Sequence, residues 1–219
     1  MNKCTILFFI FVGAFFSVRA QAVAEGCACP ENNYAPREAA AVYTFSQGNA
    51  IALCGYRITD EPNALYSEFV LSVCGTDQII DFWDAMTVCR LYMQQDTLHV
   101  QTLYELPVGK DFAVEETVFL IEKLSLQGNE IERSMQLNRF LKKYNHSQIQ
   151  QVLAHYRQLK REPSNEAMSI LSRLFVAAIS GSKEARQYLV KFRKDFHILD
   201  GAYSEAYHEL LAMLAQWDA

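Results

Sequence analysis

The hydrophobic pattern of this 219-residue chain changes period near residue 138. Before that point apolar residues mostly alternate, the two-fold pattern of a pleated strand. After it they recur every three or four residues, which lines one face of a helix. Two periods held in separate blocks specify an α+β protein. The expected architecture is an N-terminal antiparallel β-rich half followed by a C-terminal unit of four helices in two antiparallel hairpins.

Within the β-rich half, Asn49 to Ile58 is apolar on both alternating sets, as a buried strand is. In Tyr66 to Cys74, Phe69, Leu71 and Val73 share one face, opposite Glu68 and Ser72. Gly75-Thr76-Asp77 is turn chemistry. Ala85 to Met93 and Leu98 to Leu106 alternate around Gln94-Gln95-Asp96-Thr97 and predict a hairpin. Residues 115 to 137 fit either period. Gly128-Asn129, a poor helix interior and a good hairpin turn, favours a last hairpin there.

Four helices follow. Ser147 and Gln150 have capping-box spacing ahead of Val152, Leu153 and Tyr156. Pro163-Ser164 restarts the chain before a wider apolar face from Met168 to Ile179, closed by Gly181. Ser182 caps a third helix bearing Leu189, Phe192 and Phe196. Asp200-Gly201 then breaks the chain before a fourth, with Tyr207, Leu210, Leu214 and Trp217. Gln148 to Arg157 aligns with Glu184 to Arg193 at an offset of 36 residues. In period alone this resembles HEAT- or TPR-like repeats. The TPR Trp/Gly/Tyr pattern is absent, and two hairpins fall short of the roughly three repeats a solenoid needs.

Charge marks the same boundary. Residues 25 to 137 hold 17 acidic and 6 basic residues, a net of −11; residues 138 to 195 hold 4 and 12, a net of +8. The overall charge of −5 hides this dipole.

The first residues have the layout of an export signal. Lys3 precedes the apolar run Ile6 to Phe16, and Ala20-Gln21-Ala22 is a small-x-small cleavage pattern. A run of about 11 residues is too short for a membrane span of about 20. Acylation of Cys27 is disfavoured by Ala24-Glu25-Gly26 before it. The expected organisation is a signal peptide over 1–22, a cysteine-containing β-rich domain over 23–138 and a helical-hairpin domain over 139–219. The mature chain is expected to lack a transmembrane segment and to reside in a periplasm or extracellular space.

Removal of Cys4 with the signal leaves Cys27, Cys29, Cys54, Cys74 and Cys89, all in the first half of the mature chain. In an exported protein these are disulfide candidates. Cys27 and Cys29 are too close to bond to each other readily. The expected pairing joins Cys54 to this N-terminal arm and Cys74 to Cys89, with one thiol left over. No C-x-x-C follows to build a metal or redox motif.

Enzyme signatures are missing: there is no G-x-S-x-G, no Walker loop, no dinucleotide fingerprint and no HExxH spacing among the five histidines. No catalytic, metal or cofactor-binding residue is therefore assigned, and no cofactor is expected. Asp77, Asp81 and Asp84 lack the spacing and glycine of a Ca²⁺ loop. Trp83 beside Phe82 is a candidate contact residue. The basic helices offer Arg157, Lys160, Arg161, Arg186 and Arg193 to an unknown protein or anionic surface ligand, against the plainer reading of a solvated helix face. They lack a reading platform for nucleic acid. The expected function is a non-enzymatic binding or protein-interaction module. The alternative is a secreted hydrolase or thiol-dependent enzyme with an unrecognised site, which requires titratable groups gathered in a cleft.

Overall fold

Alternation in the first half produces eight antiparallel strands: β1 (Ala41–Thr44), β2 (Ala50–Arg57), β3 (Leu65–Val73), β4 (Ile79–Trp83), β5 (Val88–Gln94), β6 (Thr97–Leu106), β7 (Glu115–Gln127) and β8 (Glu130–Leu137). The computed structural model describes residues 27–31, 37–60, 64–127, 130–162, 164–197 and 201–219. The expected signal peptide and the Gly128-Asn129 turn lie outside the described residues.

The strands form one sheet in the order β1-β2-β3-β5-β6-β7-β8, with β4 also on β3. Strand β3 serves two neighbours along one edge: Leu65 and Tyr66 pair with β5, and Phe69 to Ser72 pair with β4. Gln95 and Asp96, both at positive φ, form the tight β5–β6 turn. The ambiguous segment is β7 and β8, paired from Leu120↔Leu137 to Gln127↔Glu130.

The sheet curls onto itself. In the β1–β2 turn, Ser46 donates its N–H (2.6 Å) and hydroxyl (2.7 Å) to the Asp96 carboxylate of the β5–β6 turn. Inside the curl, Tyr43, Ile51, Leu53, Tyr66, Phe69, Leu71, Trp83, Leu98, Val100 and Leu124 make one buried cluster. Gly55 is required by the close approach of β2 to β3. A Cβ there would lie 2.3 Å from the Phe69 Cβ and 2.6 Å from the Glu68 carbonyl oxygen. The register of β2 on β3 shifts at that point, where Glu68 takes φ 46°.

The helices are α1 (His146–Gln158), α2 (Asn165–Ile179), α3 (Lys183–Asp195) and α4 (Gly201–Asp218). The capping box of α1 sits two residues earlier than its spacing predicted. Asn145 caps, its side chain accepting the Gln148 N–H, while Gln148 Oε1 accepts the Asn145 N–H. Asn145 competes successfully because its short amide reaches the third N–H as well as a serine hydroxyl does. Ser164 and Ser182 cap α2 and α3 through the N–H groups of Ala167 and Ala185.

Helix α2 is apolar nearly all round and packs against α1, α3, α4 and β6. Its core runs on into the sheet through Leu106, Val108 and Phe119. Phe119 of β7 is the hub, its ring 5.6 Å from Tyr104, 6.1 Å from Phe175 and 6.0 Å from Trp217. Sheet and helices therefore share one of the two large cores.

Candidate functional site

Two of the three cysteine expectations are met in kind. Cys54 bonds to the N-terminal arm, through Cys29, and one thiol is left over. Cys74, however, bonds to Cys27 and not to Cys89. The reason is the pleat. Cys29, Cys54 and Cys74 gather with Ala52 and Val70 on the outer face of β2–β3, whereas Cys89 points into the curled core. Cys89 is fully buried, 3.9 Å from the Thr102 hydroxyl. Burial pushes its thiol up to about 12, which removes the thiolate at neutral pH.

Trp83, offered above as a contact residue, is packed inward. It is 9% exposed and stacked on Phe69 with centroids 4.7 Å apart and planes at 8°. Its neighbouring carboxylates are local fasteners. Asp84 Oδ1 accepts from the N–H groups of Met86 and Thr87 and from the Thr87 hydroxyl, while Asp81 pairs with Arg133 of β8. Strand β4 was missed as a strand because DQIIDFWD reads as a charged aromatic cluster, and its alternation is only five residues long.

The basic residues separate into different roles. Arg157 donates to Glu184 (2.5 Å) and to the Tyr188 hydroxyl (3.2 Å), tying α1 to α3. Arg161 lies over the Tyr156 ring at 4.4 Å and the Phe196 ring at 5.0 Å, and donates to the Tyr156 carbonyl. Arg186 grips Asp218 at the end of α4. Arg193 sits 3.3 Å from His208 Nε2. These four are engaged within the fold. Lys160 lines a cleft of about 510 Å³ between α1 and α2, together with His155, Glu162, Ser164 and Glu166.

That cleft holds a His155–Glu166 pair at 3.1 Å. Ser164 supplies its oxygen to the α2 cap there. The cleft thus gathers His155, Lys160, Glu162 and Glu166, with the exposed Glu166 carboxylate orienting the imidazole. Among the described residues no group of three or more His, Cys, Asp or Glu side chains is placed to hold a metal ion.

A different feature stands out at the junction of sheet and helices. Phe140, in the connection from β8 to α1, is 99% exposed. Its turn is nonetheless tightly built. Asn138 donates its N–H to the Phe119 carbonyl (2.8 Å) and its side-chain amide to the Val118 carbonyl (2.9 Å). The Asn138 Oδ1 accepts the Phe140 N–H at 3.2 Å, and Leu141 is buried in the helical core. On the other flank Arg139 donates to the Trp217 carbonyl (2.5 Å) and lies over the indole at 4.8 Å. Lys143 lies 5.6 Å from the same ring. A turn held on both sides thus presents a phenyl ring wholly to solvent, beside Arg139, Lys142 and Lys143.

Comparison with protein-family models, with curated proteins and with solved structures finds no match to this chain. Sequence reasoning passed over Phe140 because it belongs to neither period. The available signal was a lone aromatic residue among cations, in a segment with no helix or strand pattern to bury it.

Proposed function

We propose that this protein is an exported, non-enzymatic interaction module that engages its partner through the Phe140 turn at the sheet–helix junction. The observation that carries the reading is the full exposure of Phe140 on a turn pinned by Asn138, Arg139 and Leu141. A large apolar side chain displayed in water on a braced turn forgoes the roughly 1.5–3 kcal/mol that burial provides, so a fold that maintains it gains from a partner that covers it. Pre-ordering also lowers the entropy that binding would otherwise cost.

Two further features support export and a binding role. The disulfides Cys27–Cys74 and Cys29–Cys54 suit an oxidising compartment, and no described helix is long and apolar enough to cross a membrane. The sole free thiol among the described cysteines is the buried Cys89, an unsuitable nucleophile.

The test is capture from envelope extract on immobilised protein, comparing the wild type with Phe140→Ala. Material retained by the wild type and lost with the variant supports the module; equal recoveries from both refute the role of this turn.

A further inference from the structure

We infer that the occupant of the Phe140 turn is an anionic bilayer surface, met by the end of the molecule from which the phenyl ring projects. The inference rests on the interaction-module reading and names its partner. Several chain segments converge at this end. The Tyr144 hydroxyl donates to the Pro107 carbonyl at 2.5 Å, and the Tyr144 N–H donates to Ser180 Oγ at 2.9 Å. Arg139 reaches Trp217 at the end of α4, and Arg186 at the start of α3 reaches Asp218. Lys142 lies 3.6 Å from Glu115, beside the exposed Val114.

Three segments carry cations here, the β6–β7 connection (Lys110), the β8–α1 connection (Arg139, Lys142 and Lys143) and the start of α3 (Lys183 and Arg186, the latter held by Asp218). The acids among them are fewer, Asp111, Glu115, Glu184 and Asp218, and Glu184 is held by Arg157 on α1. The net positive end lies opposite in sign to the −11 of the β-rich half, so the charge dipole orients this end toward an anionic sheet of headgroups. A small apolar wedge, Phe140 with Val114 at the same end, inside a cationic collar suits a surface that yields around it. A protein pocket would more commonly meet several apolar contacts around a central anchor. The surrounding lysines reach headgroups while the ring enters the acyl boundary.

The experiment is co-sedimentation of the disulfide-intact protein with vesicles of phosphatidylcholine alone, or of phosphatidylcholine mixed with phosphatidylglycerol. Binding is expected to the anionic vesicles only and to weaken as salt rises. Phe140→Ala is expected to weaken partitioning about tenfold or more. Lys142→Ala and Lys143→Ala are each expected to weaken it about fivefold. These side chains are exposed, so circular dichroism should show the fold unchanged. Phe140→Trp is expected to blue-shift its emission on anionic vesicles alone, against the buried Trp83 and Trp217. Sedimentation that ignores phosphatidylglycerol, or that is unchanged in Phe140→Ala, overturns the inference. If vesicles are not bound but a Phe140-dependent envelope protein is captured, the partner is a protein and the module reading stands. If neither occurs, both fall.

Discussion

Glu122 of β7, buried within the curl of the sheet, is met by Arg133 of β8, whose Nη2 donates to Glu122 Oε2 at 3.0 Å. The same guanidinium also pairs with Asp81 of β4. Strands β4 and β8 are far apart in the sheet order, so this one side chain fastens the curl. Arg133→Ala leaves a buried carboxylate without its counter-charge. The expected cost is about 2–3 kcal/mol, below that of a fully buried pair because Arg133 is partly solvated. Urea denaturation at neutral pH measures it.

The same pair sets a pH dependence. Burial raises the Glu122 pKa above the usual 4.5, with the Arg133 hydrogen bond and charge opposing the rise. A carboxyl with a raised folded-state pKa binds its proton more tightly when folded. Its contribution to stability is therefore complete below about 4.5 and is lost as pH climbs through the folded value. Glu122→Gln is expected to remove that part of the decline. Denaturation midpoints of wild type and variant, compared across pH 4 to 7, should converge at the acid end and diverge toward neutrality.

The disulfides brace the arm against the sheet. Cys29–Cys54 and Cys27–Cys74 span separations of 25 and 47 residues. Loop-closure entropy assigns about 3.5 and 4 kcal/mol to loops of these sizes, less than additively because they overlap. Reduction should lower the melting temperature accordingly. Peptide mapping should recover those two bonds, with Cys89 alkylated only after unfolding.

Gly55→Ala tests the tight crossing of β2 on β3. The added methyl would meet backbone as well as side-chain atoms, at 2.3 to 2.6 Å, so relief requires moving a strand. A loss of about 2–4 kcal/mol is expected from overpacking of this kind, read by thermal denaturation.

Phe119→Ala tests the shared core. Removing the ring between Tyr104, Phe175 and Trp217 should cost about 3–5 kcal/mol. Because Phe119 and Tyr104 belong to the sheet and Phe175 and Trp217 to the helices, far-ultraviolet and tryptophan signals should shift together. Separate transitions for strands and helices would show that the two halves do not unfold as one unit.

Most of the element list is legible in the sequence, since burial imposes a period and the period survives in the residues. The β7–β8 hairpin was readable from Gly128-Asn129, and the caps of α2 and α3 from Ser164 and Ser182. What the sequence hides is tertiary. Nothing local says that Cys74 faces the arm while Cys89 faces the core, because a β-bulge and the curl decide which face each strand end presents. Trp83 and Phe82 are adjacent, yet the pleat buries one and leaves the other half exposed. The arginines of the helices looked like a ligand patch, but Arg157, Arg161 and Arg186 are engaged by partners distant in sequence. Phe140 was invisible for the opposite reason: its exposure depends on Asn138 and Arg139 reaching backbone carbonyls on other elements.

The central claim is that position 140 meets a partner. Photo-crosslinking from a benzoylphenylalanine placed at residue 140, in intact cells, tests it most directly. Exposed Val190 on α3, outside the turn, serves as the control position. The account predicts adducts to lipid or to a discrete envelope component from position 140 and none from position 190. No adduct from 140, or equal labelling from both positions, would contradict it.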